Sequence, residues 1–212
     1  MGETKRKVRS DRKKDVKPTV DIELYECVSR ISHITKTPIK DVGEIFCKHG
    51  LYSKKVIDNL SQYFRRNIQF NNTLYMGNRE LLSERVTRKP SENRTRITIR
   101  FRQEVYDHIS DLAYALDRTV STTVAMLLDA AVRNTDILNQ YVGEYVDEVL
   151  DDNRKKELRH VLKYINKNNP YEDEVTLYHL INNIMDKAVD KTINARIAID
   201  SWLDEVIDRR ED

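Results

Sequence analysis

The sequence predicts a mainly α-helical protein that carries one short two-stranded antiparallel ribbon. Three observations lead there. The 212 residues include only 5 Gly and 4 Pro, well below the roughly 7% and 5% of an average chain, so a turn-rich β architecture is disfavoured. Apolar residues recur at three- and four-residue intervals over most of the chain, the period of helices with one buried face. One segment departs from that period: Thr95-Arg96-Ile97-Thr98-Ile99-Arg100-Phe101-Arg102 alternates strictly between polar and apolar residues, as a half-buried strand does. A lone strand leaves both edges unpaired, so it requires a partner strand from this chain or from a second one.

The elements follow in order. Met1 to Val20 is polar and basic, unlike a secretory signal peptide. Among Lys5, Arg6, Lys7, Arg9, Arg12, Lys13, Lys14 and Lys17 the only acidic residues are Asp11 and Asp15. Residues 1–15 have almost no apolar side chains and are expected to form a disordered basic arm. Such an arm either tracks the phosphates of a polyanion or is a solvated tail. Residues 16–70 carry helical stripes: Leu24, Val28 and Ile31, then Ile39 and Phe46, then Ile57, Leu60, Phe64 and Ile68. Thr37-Pro38 supplies an N-cap and a first helical residue. Residues 71–93, with Gly77 and Pro90, are expected to connect two units, with a short helix around Arg79 to Val86.

In residues 94–151 the alternating strand precedes a helix striped by Val105, Ile109, Leu112 and Leu116. Asp117-Arg118-Thr119 interrupts it, and Ser121 is the expected N-cap of a second helix with Val120, Val124, Leu127 and Ala131. Leu138, Tyr141, Tyr145 and Val149 mark a third. Residues 152–212 are expected to form a helical C-terminal module, from the stripe Leu158, Val161, Leu162 and Ile165, through the break at Asn168-Asn169-Pro170, to Trp202. It either closes its own core or mediates self-association.

Shifting the sequence against itself by 81 residues aligns much of this pattern without a gap. Val16, Pro18 and Val20 fall on Ile97, Ile99 and Phe101, and Leu24, Val28 and Ile31 on Val105, Ile109 and Leu112. Glu23, Tyr25 and Ser29 match Glu104, Tyr106 and Ser110. The copies differ where Asp15 falls on Arg96, and where Pro18, which can donate no ladder hydrogen bond, falls in mid-strand.

Net charge is +2 overall but about +11 for residues 1–100 and about −9 for residues 101–212, which points to a polyanion partner for the basic half. No run approaches the roughly 18 apolar residues of a membrane span. The two cysteines, Cys27 and Cys47, with His33 and His49 match no usual zinc spacing, and no metal is expected. With no export signal, a reducing cytoplasm is the expected location. There is no glycine-rich nucleotide loop, no Gly-x-Ser-x-Gly and no His-Glu-x-x-His, so neither catalysis nor a cofactor is expected.

Arg96-Ile97-Thr98-Ile99-Arg100 followed by helix, turn and the helix start Val120-Ser121-Thr122-Thr123 resembles the ribbon-helix-helix family of the Arc and MetJ type, well over residues 94–133 and weakly over residues 17–50. The resemblance implies tandem units in which two strands pair antiparallel and enter the DNA major groove. Arg96, Thr98 and Arg100, with Lys17 and Thr19 from the other strand, are then the base-reading side chains. Arginine offers a fork to guanine O6 and N7, and threonine meets either a polar edge or a thymine methyl. Arg94, Arg102, Ser121, Thr122, Thr123 and the basic arm are the expected phosphate contacts, because a helix N-terminus presents free N–H groups and a positive dipole end. The opposing interpretation is an ordinary charged sheet edge, favoured by the net charge of about −6 over residues 97–151.

The expected function is sequence-specific binding of double-stranded DNA in the cytoplasm, as a transcriptional repressor. An accessory DNA-binding role in plasmid or phage segregation or in a relaxosome is the alternative, and a helical interaction scaffold without DNA affinity is the alternative of another class. Pairing within the chain would make an asymmetric ribbon. Pairing between chains would make a symmetric one that wants a palindrome.

Overall fold

The computed structural model of the chain describes residues 13–70, 72–81, 93–145, 152–167 and 169–171. Its architecture is mainly helical, with short two-stranded antiparallel sheets. In order, the elements are β1 (Lys14–Val16), β2 (Thr19–Asp21), α1 (Ile22–Thr35), α2 (Ile39–Tyr52), α3 (Lys54–Ser61), β3 (Ile68–Phe70), β4 (Thr73–Tyr75), β5 (Arg94–Arg96), β6 (Ile99–Phe101), α4 (Gln103–Leu116), α5 (Val120–Arg133), α6 (Thr135–Tyr145) and α7 (Asp152–Asn166).

The alternating strand finds its partner inside the chain. β1 pairs antiparallel with β6, setting Asp15 opposite Arg100 and Val16 opposite Ile99. β2 pairs with β5, setting Thr19 opposite Arg96 and Asp21 opposite Arg94. The two ladders share one register, so they form a single ribbon of residues 14–21 against 94–101, joined where the Ile97 amide donates to the Pro18 carbonyl at 3.1 Å. Proline's missing N–H removes a rung there, and regular pairing lapses at that point on both strands. The alternation then sorts the side chains. Val16, Val20, Ile97, Ile99 and Phe101 are buried, whereas Asp15, Lys17, Arg96, Thr98 and Arg100 are exposed.

α1, α2 and α3 begin 81 residues before α4, α5 and α6. The helix ends match as well: Lys36 and Asp117, 81 apart, both turn left-handed (φ 53° and 55°) to close α1 and α4. Three pairs at this offset also meet. Lys17 lies opposite Thr98 in the ribbon register. A Cβ on Gly50 would lie 2.8 Å from the Ala131 Cβ. The Lys55 Nζ bonds the Asp136 carboxylate at 2.6 Å. Residues related by a two-fold operation meet only on its axis, so these contacts trace an axis from the ribbon centre through the α2–α5 crossing.

One apolar core joins the layers. The ribbon's inner face packs beneath α2 and α5, with α1, α4 and α6 around them. Gly43 in α2 admits the Ile99 side chain, since a Cβ there would sit 2.9 Å from Ile99 Cδ1. Cys27 and Cys47 lie in this core, and burial pushes both thiols up from their usual range.

Several expectations need correction. Ile68 lies in a strand, not a helix: β3 and β4 form a hairpin, with Ile68 opposite Tyr75. Asn72 takes the left-handed conformation at its turn (φ 63°), which asparagine tolerates better than most residues. The hairpin crosses the expected boundary at residue 70. Of the short helix expected from Arg79 to Val86, Arg79 to Leu81 form a turn and bend, and residues 82–86 lie outside the described residues. The strand begins at Lys14, inside the expected arm. Thr119, not Ser121, caps α5: its hydroxyl accepts from the Thr122 amide. Pro38 occupies the matching position before α2, one residue later than expected for the cap, and offers no side-chain bond.

The described part of the C-terminal segment does not stand apart. Leu158, Val161, Leu162 and Ile165 of α7 are buried in the common core, against α1 and α5. The Tyr164 hydroxyl donates to Asp129 at 2.6 Å, Arg133 lies 4.4 Å over the Tyr164 ring, and Arg133 donates to the Lys167 carbonyl at 2.5 Å. Val149 and Trp202 lie outside the described residues. Among the described residues no helix is long and apolar enough to cross a membrane.

Candidate nucleic-acid interface

The outer face of the ribbon brings all five expected base-reading residues together. Across its width the register sets Asp15 beside Arg100, Lys17 beside Thr98 and Thr19 beside Arg96. Arg96, Thr98, Arg100 and Lys17 are exposed, and Thr19 is half-buried. These side chains stand outward because their neighbours Val16, Val20, Ile97, Ile99 and Phe101 are held by the core, and successive residues of a strand point to opposite faces.

Asp15 changes the electrostatics of that face. Its Oδ1 lies 3.0 Å from the Arg100 Nε, and the two side chains keep 49% and 58% of their exposure. The face therefore carries Arg100 compensated by Asp15 on one side of its centre, Lys17 at the centre, and Arg96 opposite Thr19 on the other side. Asp15 was not singled out in the sequence as a partner of Arg100. The offset of 81 together with a two-fold ribbon would have placed them opposite each other.

The expected phosphate contacts divide. Arg94 is drawn back along the ribbon: only 24% of its side chain is exposed, and its Nε makes a 3.3 Å ion contact with Asp21. Arg102 is exposed at the start of α4. Lys13 is tied to Glu44 at 2.6 Å, whereas Lys14 is exposed at the ribbon end. Lys5, Arg6, Lys7, Arg9 and Arg12 lie outside the described residues.

At the N-terminus of α5 the geometry narrows the expected set. Thr123 is fully buried, and its amide bonds the Thr119 carbonyl at 2.9 Å, so, contrary to expectation, it is not placed to meet a phosphate. The Thr122 amide is taken by the Thr119 hydroxyl at 3.2 Å. The Ser121 hydroxyl donates to the Lys17 carbonyl at 2.9 Å, which pins the helix start to the ribbon centre. An anion at this end would meet the amides of Val120 and Ser121, with the dipole behind them. At the matching end of α2 stand Lys40 and Asp41. Lys40, which was not among the expected phosphate contacts, adds a charge suited to a phosphate, and Asp41 opposes it.

The cysteine and histidine cluster considered for a metal does not assemble: among the described residues no three potential ligands converge. The chain has no match among known protein families, curated proteins or solved structures.

Proposed function

We propose that this chain is a tandem ribbon-helix-helix protein that binds double-stranded DNA sequence-specifically by placing its ribbon in the major groove. The observation that carries the reading is the intramolecular ribbon with Arg96, Thr98, Arg100, Lys17 and Thr19 on its outer face. A B-DNA major groove about 12 Å wide admits a two-stranded ribbon, and these side chains suit base edges. The N-terminus of α5 is bonded to the ribbon centre and α2 packs on the ribbon near its start, through Gly43 against Ile99, where backbone amides and Lys40 would meet flanking phosphates. The acidic residues of the second half that are described and exposed, such as Asp107, Asp111 and Asp136, lie on α4 and α6 and not on the ribbon face. The reading involves no catalytic step and no cofactor. By analogy with the family, the cellular task is transcriptional repression.

A mobility-shift titration of the full chain against fragments of its source genome, at two salt concentrations, tests this. The expected result is a specific shift that weakens steeply with salt. Arg96→Ala should cost about 1–3 kcal/mol on the preferred fragment and little on others. A scaffold without DNA affinity would show no shift at either salt concentration.

A further inference from the structure

We propose that the ribbon reads a non-palindromic site in one orientation, and that the Asp15–Arg100 pair sets this orientation. The inference rests on the DNA-binding reading above and adds the class of site.

The axis through Lys17 and Thr98 exchanges the two strands. On the inner face it exchanges like with like: Val16 with Ile97, Pro18 with Ile99, and Val20 with Phe101. On the outer face it exchanges unlike residues at every step: Asp15 with Arg96, Lys17 with Thr98, and Thr19 with Arg100. The core therefore sees a two-fold object and a ligand on the outer face does not.

The two ends differ in chemistry. At one, Asp15 holds Arg100 through Nε at 3.0 Å, which leaves the guanidinium's terminal Nη edge able to reach guanine O6 and N7. The pair stays about half exposed, so the carboxylate can also accept from cytosine N4 or adenine N6 of an adjacent base pair. Holding the arginine in place reduces the side-chain freedom it would lose on binding. The same carboxylate disfavours guanine or thymine beside it, whose major-groove edges carry acceptors and no donor. On the other side of the axis Thr19 faces Arg96 at the matching step, a cationic donor and a threonine, and the carboxylate of Asp21 comes only one step further out, against an Arg94 that is 24% exposed. A palindrome presents the same base pair to both ends and can satisfy only one of them.

Selection from randomised duplexes with the full chain tests the proposal, followed by titration of the enriched sequences. Wild type is expected to enrich a non-palindromic sequence. Asp15→Asn, a nearly isosteric change at an exposed pair, should reduce discrimination about tenfold at positions on one side only, with guanine or thymine newly accepted there, because the amide NH2 can donate to their acceptors. Arg96→Ala should relax the other side. Melting temperatures close to wild type show that both variants fold. A palindromic consensus from wild type overturns this inference and leaves the DNA-binding reading intact. A non-palindromic consensus unchanged in Asp15→Asn overturns the role of the pair. Enrichment of no sequence at all overturns the DNA-binding reading together with the inference.

Discussion

In residues 14–61 the central helix α2 meets its neighbours through glycine: Gly43 makes room for Ile99, and Gly50 for Ala131 and Leu127. In residues 94–145 the matching positions of α5 carry Val124 and Ala131, and the strand position matching Ile99 carries Pro18. The halves therefore share a backbone plan without sharing side-chain volumes: a large residue in one is set against a small residue in the other. A duplicated architecture held within one chain permits this. In an assembly of identical chains any substitution appears on both sides of the axis, whereas here each side can be fitted separately. The same freedom acts on the outer face of the ribbon, where Asp15 and Arg96 occupy matching positions with opposite charge.

The largest expected effect breaks the comparison in the core. Ile99→Ala should destabilise by about 2–5 kcal/mol, because it empties a fully buried site whose neighbour is a glycine that cannot fill the space. Pro18→Ala, at the matching position, should cost less than about 1 kcal/mol, since it removes little volume and restores an N–H. Urea unfolding of the two variants measures the difference. Equal losses would show that the two strands are packed alike.

The helix crossing sharpens it. Gly50→Ala forces a Cβ to within 2.8 Å of the Ala131 Cβ and should cost about 1–3 kcal/mol, even though alanine favours a helix. Because the two positions face each other across the axis, Gly50→Ala combined with Ala131→Gly should recover most of that loss. A double-mutant cycle by thermal or urea unfolding checks this, and additive losses would contradict the placement of the axis.

The smallest effect concerns the β3–β4 hairpin, which follows α3 and for which no counterpart is described after α6. The Tyr75 hydroxyl donates to Asp58 at 2.8 Å. Burial first, and then that bond and the nearby carboxylate charge, push its phenol up to about 12. The folded value lies above the usual value near 10, so the contribution to stability is complete below about pH 10 and is lost as the pH rises toward 12. Phenolate absorbance of wild type against Tyr75→Phe should show one tyrosine titrating late. Local loosening over that pH range should occur in wild type only.

Much of this was legible in the sequence. The strict alternation from Thr95 to Arg102 assigned inner and outer faces correctly for Ile97, Ile99, Phe101, Arg96, Thr98 and Arg100. The stripes of α1 and α4 are the buried residues Leu24, Val28, Ile31, Val105, Ile109 and Leu112. The hairpin at Ile68 was not legible, because four apolar residues three or four apart from Ile57 to Ile68 imitate a helix while Asn72 carries the turn. The burial of Thr123 was not legible either, since a threonine at a helix start is usually read as a polar terminus.

What the sequence determined by itself is therefore periodic and local: where helices run, which face of each is apolar, and the spacing of 81 at which the pattern returns. Periodicity is a property of neighbouring residues and needs no knowledge of the rest of the chain. The tertiary structure decided the pairings: β1 with β6, Asp15 with Arg100, Ser121 with the Lys17 carbonyl, and α7 against α1. Each joins residues about 85 to 140 positions apart in sequence, and each exists because burying one shared apolar core brings their elements together. A polar contact of modest strength cannot direct such a search; it forms where the burial of Val16, Ile99, Phe101 and Ile165 has already placed its partners.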